Sequence, residues 1–118
     1  MPMDIFNALA EPNRRRIVEI LANQGALSAS DISNKFDVSA PAISQHLKVL
    51  REANVLQMEK HAQQRMYQIN PKAVMELEDW AKQIMQLWTQ RYDAFERLLI
   101  SEKKRLQKRK NRTGRRKK

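Results

Sequence analysis

The fold is decided by residues 39–50, which read Ser-Ala-Pro-Ala-Ile-Ser-Gln-His-Leu-Lys-Val-Leu. Ser39 is a favourable N-cap, and Pro41 is tolerated in a first helical turn, so the stretch predicts a helix that reaches roughly Ala53. At about 100° per residue, three apolar side chains of this helix fall within roughly 60° of one another. They are Ile43, Leu47 and Leu50, and we expect them to face the core.

The opposite side of this helix is small, polar and nearly uncharged, with Pro41, Ala42, Ser44, Gln45 and Lys48. Such a surface fits into the major groove of DNA, where glutamine pairs with adenine, serine with several base edges, and a small apolar group with the thymine methyl. A helix that is merely solvated more often carries glutamate and lysine in mixed pairs. The pattern therefore favours a DNA-reading helix over an ordinary surface helix.

The residues before this helix predict three more helices. Residues 3–9 form the first, with an apolar face made of Ile5, Phe6 and Leu9. The second begins at Pro12, which suits a first helical turn, and ends near Asn23. The third is short, begins after the capping residue Ser28, and ends before a tight turn at residues 37–38.

After the DNA-reading helix, the apolar period changes from helical to alternating. Residues 56–60 and 65–70 mostly alternate, and the polar residues 61–64 separate them, which predicts a small β-hairpin. Two short helices joined by a tight turn and followed by a hairpin describe a winged helix-turn-helix. We therefore predict a mainly α fold with a small β-hairpin as the wing.

Asn70-Pro71 is the strongest boundary in the chain, because it combines an N-cap with proline at the first helical position. From there apolar residues recur at helical spacing over about thirty residues, or roughly 45 Å. The preceding seventy residues are too few to cover such a surface, so we predict a homodimer in which a second copy covers it. We interpret the stripe from Trp80 to Trp88 as dimer core rather than as a ligand pocket. The predicted dimerisation residues are Ile5, Phe6, Leu9, Leu77, Trp80, Ile84, Leu87, Trp88 and Phe95.

The formal charge of +10 is unevenly distributed. Residues 102–118 hold eleven Lys or Arg and one acidic residue, whereas residues 1–101 hold twelve of each sign and cancel. We therefore divide the chain into a winged helix-turn-helix and dimerisation domain, residues 1–101, and a basic tail, residues 102–118, which we expect to be disordered beyond Lys110. Such a tail raises affinity for any polyanion without carrying sequence information, although binding to RNA and a role in solubility alone are alternatives.

Several classes of protein are excluded by composition. The chain has no cysteine, two histidines and two glycines, which argues against disulfides, thiolate metal sites and glycine-rich phosphate loops. No apolar stretch approaches a membrane span, and the start lacks the pattern of a signal peptide. We expect a cytoplasmic protein without a cofactor or bound metal, and not an enzyme, because no cluster of nucleophile, base and orienting acid is recognisable.

Two stretches resemble the ArsR/SmtB-type family of repressors. Residues 7–17, Asn-Ala-Leu-Ala-Glu-Pro-Asn-Arg-Arg-Arg-Ile, are similar to the opening of these proteins, and residues 39–50 are similar to their recognition helix. The resemblance covers residues 3–99 and implies a homodimeric winged-helix repressor that leaves its operator when an effector, here unknown, binds. Metal-sensing members carry a cysteine pair before the turn or histidine and acidic ligands on the last helix. Residues 30–38 have no cysteine and residues 71–99 no histidine, so metal control by either route is not expected.

The predicted DNA contacts lie on the recognition helix and on the wing. The wing tip lacks the glycine of many family members, so we expect Gln63 and Gln64 to form its turn. Phosphate contact and plain solvation are both open for Lys60 and Arg65, as are phosphate contact and partial burial for His46. The full predicted set is Ser39, Ala40, Pro41, Ala42, Ser44, Gln45, His46, Lys48, Lys60, Gln63, Gln64 and Arg65.

Three functions remain open on the sequence. The first is a sequence-specific repressor that binds double-stranded DNA and occludes a promoter. The second is a non-specific nucleic-acid-binding protein whose affinity comes from the basic tail, and the third is a protein-interaction module that reuses the winged helix.

For residues 14–16, three consecutive arginines, pairing with nearby acids is favoured over phosphate contact.

Overall fold

The computed structural model describes the backbone of residues 4–116 and the side chains of residues 4–111. It contains five helices and three strands within the described residues. In chain order they are α1 (Ile5–Ala8), α2 (Pro12–Gln24), β1 (Leu27–Ser28), α3 (Ala29–Ser33), α4 (Ala40–Glu52), β2 (Leu56–His61), β3 (Gln64–Ile69) and α5 (Pro71–Arg116). The chain divides into two compact units, the first ending at Leu77 and the second beginning at Glu78.

The first unit is the predicted winged helix-turn-helix. Its three-stranded antiparallel sheet has the order β1-β3-β2. The hairpin was predicted, whereas β1 was not, because its two residues are too few to show an alternating pattern. Leu27 of β1 pairs with Tyr67 of β3, so the short strand fastens the segment before α3 to the wing.

The core of this unit is formed by buried apolar residues of its helices and of its sheet. The seam of α4 is confirmed, since Ile43, Leu47 and Leu50 are each 1 % exposed or less. Ile17 of α2 and Ile32 of α3 are fully buried beside them. Burying one such side chain stabilises a fold by about 1.5–3 kcal/mol, so these residues hold α4 against α2 and α3.

The hairpin turn is one residue from where the sequence predicted it. The turn residues are Ala62 and Gln63, and Gln64 is the first residue of β3, opposite His61. Ala62 has a positive φ of 57° and takes the place of the missing glycine. The prediction that Gln63 and Gln64 form the turn is therefore wrong by one position, because alternation locates strands but does not resolve which residue adopts the left-handed conformation.

Helix α5 differs from prediction at its end. Its start at Pro71 is confirmed, and the Asn70 side-chain oxygen accepts from the Lys72 N–H at 3.2 Å as a cap. The helix continues to Arg116, so the predicted disorder beyond Lys110 is not found for residues 111–116; residues 117–118 lie outside the described residues. Cations near a carboxyl end interact favourably with the helix dipole, which opposes both their mutual repulsion and the weak helix propensity of Asn111, Thr113 and Gly114.

Candidate nucleic-acid interface

Helix α4 presents the two faces that the sequence predicted. Ser39 caps it, with its Oγ accepting from the Ala42 N–H at 3.3 Å. Opposite the buried seam, most of the predicted DNA contacts are exposed, and two are half-buried. The exposed residues are Ser39, Ala40, Pro41, Ser44, Gln45 and Lys48, and the half-buried ones are Ala42 and His46. The exposed face is thus free of acidic groups until Glu52, the last residue of the helix.

His46 connects the recognition helix to the start of α2. Its side chain is 18 % exposed, and its Nδ1 lies 3.7 Å from Glu11 Oε2 and 3.4 Å from Arg14 Nη1. Partial burial, one of the two alternatives for this residue, is therefore what the structure shows. The side chain of Arg14 reaches further, because its Nε donates to the Ala8 carbonyl at 2.5 Å. One guanidinium thus joins the end of α1, the start of α2 and the middle of α4.

The carboxyl group of Glu11 belongs to the same cluster. Burial raises its pKa, but the N–H groups of Asn13 and Arg14 and the charges of His46 and Arg14 lower it more, so the net pKa lies below its ordinary value. The carboxylate also caps α2 by accepting from the Arg14 N–H at 3.0 Å. Glu11 therefore stays ionised beside the recognition helix under ordinary conditions.

The partners of the three consecutive arginines differ from the prediction. The sequence favours acids as their partners, and the charge of Arg14 does act on Glu11. The guanidinium groups otherwise contact backbone carbonyls, His46 and an aromatic ring. Arg15 donates to the carbonyls of Leu9 and Ala10 at 2.8 and 3.3 Å, and the Arg16 guanidinium lies 4.9 Å from the centroid of the Phe36 ring. The carbonyls at the end of α1 need donors, and this need is invisible until the turn is built.

The wing brings two like charges together at its tip. Lys60 and Arg65 are directly opposite each other in the register of β2 and β3, and both are exposed. Like charges opposite each other destabilise a hairpin, so this arrangement suggests a ligand of opposite charge. Gln63 and Gln64 lie at the same tip and are exposed. The alternating pattern placed the two cations on the two strands of the hairpin, but it did not show that they lie directly opposite each other.

The predicted dimerisation residues fall into two groups. In the first unit, Ile5 is 7 % exposed within the core of the protomer, and Leu9 and Leu77 pack against that core. Phe6 is 47 % exposed. In the second unit every described side chain from residue 78 to residue 111 is exposed. Five of these are large predicted dimerisation residues between 45 % and 62 % exposed, namely Trp80, Ile84, Leu87, Trp88 and Phe95.

The described residues show neither a metal-binding group nor a membrane span. Among the side chains described, no three His, Cys, Asp or Glu residues come close enough together to hold an ion. The helices, as far as they are described, include none with the length and apolar character needed to cross a bilayer.

Comparison with known proteins agrees with this geometry. The profile of a family described as bacterial regulatory protein, arsR family, matches residues 11–57, which run from the Glu11 cap of α2 into β2. The chain is 35% identical over 101 residues to the HTH-type transcriptional regulator Rv2034 of Mycobacterium tuberculosis, covering 86% of this chain and 91% of that one. It is 32% identical over 77 residues to the transcriptional repressor SdpR of Bacillus subtilis, covering 65% and 84%.

Solved structures show the same fold. A possible transcriptional regulator for arsenical resistance superposes with a TM-score of 0.63 at 33% identity, over 70% of this chain and 84% of that one. An ArsR-like transcriptional regulator from Rhodococcus sp. RHA1 superposes with a TM-score of 0.68 at 23% identity, over 80% and 88%. By its sequence relatives and the profile across its helix-turn-helix, this chain belongs to the ArsR family of bacterial regulatory proteins.

Proposed function

We propose that this chain is a homodimeric, sequence-specific regulator that binds double-stranded DNA in the cytoplasm and represses transcription by occluding a promoter. The observation that carries the proposal is the division of α4 into a buried seam and an exposed face without acidic groups over Ser39–Lys48. A face of small residues that carries no negative charge can approach base edges without repulsion from the phosphates. Ser44 and Gln45 supply its hydrogen-bonding groups, which read bases in the major groove.

The wing supports the same function through the DNA backbone. Lys60 and Arg65 repel each other across the hairpin, and a phosphate between them would remove that repulsion. Such contacts position the protein on the duplex but do not read its sequence. The proposed division of labour is therefore base reading by α4 and phosphate binding by the wing.

The dimer is supported by the exposed apolar side chains of the second unit. Trp80, Trp88 and Phe95 each leave half or more of their side-chain surface exposed. Contiguous apolar surface of this kind in a water-soluble regulator marks an interface. In a dimer the two α4 helices would enter successive major grooves about 34 Å apart, so we expect a near-palindromic operator.

Repression is the mode of action of the relative SdpR, a named repressor, and of an arsenical resistance operon repressor of Escherichia coli that is 33% identical over 85 residues. We carry repression over to this chain as part of the proposal. The alternative functions, non-specific binding through the basic segment and a protein-interaction module, are the outcomes that the following experiment separates.

The test is selection of duplexes from a random pool, followed by competition against scrambled duplexes at raised salt. Gln45→Ala is expected to reduce the preference for the selected duplex by about 1–3 kcal/mol, or roughly 5- to 150-fold, while affinity for scrambled DNA stays unchanged. Gln24→Ala is the control, because Gln24 is also exposed but ends α2. Equal affinity of the unaltered protein for every duplex would instead favour the non-specific function. No retention of DNA at low salt would favour the protein-interaction module.

The dimer has a separate test in sedimentation velocity. Trp88→Glu places a charge in the proposed interface and is expected to yield monomers with weakened binding to the selected duplex. Gln90→Glu is the control, because position 90 is two residues after Trp88 and therefore lies about 200° around α5 from it, away from the proposed interface. An unchanged sedimentation rate for Trp88→Glu would remove this part of the proposal.

A further inference from the structure

The C-terminal part of α5 is helical, and residues 102–118 hold the excess of positive over negative charge in the chain. Residues 102–118 contain eleven cations and one acid, a net charge of +10, and the helix runs through them to Arg116. The single acid, Glu102, accepts from Arg105 Nη2 at 2.6 Å. One carboxylate cannot balance eleven cations, so the segment retains a large excess of positive charge.

The helix arranges four of these cations on one side. At about 100° per residue, positions 104, 105, 108 and 109 fall within a sector of roughly 140°. Lys104, Arg105, Lys108 and Arg109 are all exposed, and we call them the cationic stripe. The cations Lys103 and Lys110 fall outside it, near its opposite centre.

The density of charge on the stripe is similar to that of duplex DNA. Positions 104 to 109 span about 7.5 Å of helix and carry the four exposed cations of the stripe. B-form DNA carries one phosphate charge about every 1.7 Å of its axis, or about four over the same length. In a disordered segment of the same composition, the distances between the cations would not be fixed. The helix fixes these distances, which the composition alone does not do.

Two other polyanions fit this segment less well. A helix that binds a membrane surface needs an apolar face opposite its cations, and here Leu106 is the sole large apolar residue among residues 102–118. Proteins that bind single-stranded nucleic acid stack bases on aromatic rings, and this segment contains no aromatic residue. A surface of regularly spaced cations without apolar or aromatic neighbours suits the backbone of a duplex.

We propose that the cationic stripe of α5 is a second DNA-binding surface, which binds the phosphates of duplex DNA independently of sequence. The choice of duplex DNA as ligand rests on the proposed function of the chain. The surface adds affinity and salt dependence, whereas the discrimination between sequences belongs to α4. Its contribution therefore appears on duplexes that carry no operator.

The test compares two double variants of the full chain that each remove two lysines from the same helix. Lys104→Gln with Lys108→Gln removes two of the four cations of the stripe, and Lys103→Gln with Lys110→Gln removes two cations from the opposite side. Glutamine and lysine have similar helix propensities, and circular dichroism checks that both variants keep their helix. The probe is a short fluorescent duplex of arbitrary sequence, titrated by anisotropy at salt concentrations from about 0.05 to 0.2 M.

The stripe variant is expected to lose about 1.8 from the slope of log affinity against log salt per bound chain, at about 0.9 for each phosphate contact. The opposite variant is expected to lose less than half of that. Equal losses in the two variants would show a diffuse charge effect and overturn the stripe, and so would the absence of loss in both. Stronger competition by duplex RNA or by phosphatidylserine vesicles than by duplex DNA would overturn the choice of ligand.

A failure of the stripe can be distinguished from a failure of the proposed function. Both double variants are expected to keep the preference of the unaltered protein for its selected duplex at raised salt. A protein that shows no preference for any duplex contradicts the proposed function, yet the difference in slope between the two variants would still be measurable. A protein that keeps its preference but shows no difference in slope contradicts the stripe alone.

Discussion

Replacing Arg14 by methionine tests whether one side chain ties the recognition helix to the first two helices. Its Nε donates to the Ala8 carbonyl at 2.5 Å, and Nη1 and Nη2 lie 3.4 Å from His46 Nδ1 and from the Asn7 carbonyl oxygen. Methionine retains the apolar stem but removes every donor. The substitution therefore isolates the hydrogen bonds from the packing of the stem.

The expected loss follows from these contacts. A hydrogen bond from a charged donor contributes about 1.5–3 kcal/mol net, and long bonds contribute less. One short bond and two long ones at a partly buried site predict that the free energy of unfolding falls by about 2 kcal/mol. For a folded unit of this size, the midpoint of thermal unfolding should fall by roughly 8 to 16 °C.

The assay is urea unfolding at one fixed protein concentration, because the apparent stability of a dimer depends on concentration. Arg15→Met is the matched control, since Arg15 donates to the neighbouring carbonyls of Leu9 and Ala10 from an exposed site. We expect Arg15→Met to lower the free energy of unfolding by less than half as much as Arg14→Met. A loss below about 0.5 kcal/mol for Arg14→Met, or equal losses for the two variants, would refute the reasoning.

Three further predictions concern single contacts. Glu11→Gln should be less stable than the unaltered protein at neutral pH, because a lowered folded-state pKa stabilises the fold above the ordinary value of 4.5; the difference should vanish in urea titrations as the pH falls through that lower pKa, and a constant difference would contradict it. Ala62→Gly should raise the free energy of unfolding by about 1 kcal/mol, because glycine adopts the positive φ of the wing turn without a Cβ penalty; a loss of stability would count against that backbone conformation. Ser39→Ala should lower it by about 1 kcal/mol through loss of the cap on Ala42, measured against Ser44→Ala on the exposed face of α4, which should be nearly neutral; equal effects would argue against the cap.

Much of the fold could be predicted from local pattern. The seam of α4, the start of α5 at Pro71 and the hairpin were confirmed because each depends on spacing or on capping chemistry that lies within a few residues. The end of α5 at Arg116 was not predicted, because charge repulsion and weak helix propensity there oppose the favourable interaction of cations with the helix dipole, and their balance is not visible in a pattern.

The candidate site was also predictable from the sequence only in part. The sequence by itself determined that α4 has one apolar and one nearly uncharged face, since periodicity alone assigns residues to faces. Only the tertiary structure decided that Arg14 meets His46, thirty-two positions away, and that Lys60 lies opposite Arg65. Contacts between distant residues depend on how α1, α2 and the sheet pack around the core, and a one-residue change in hairpin register would separate the two cations.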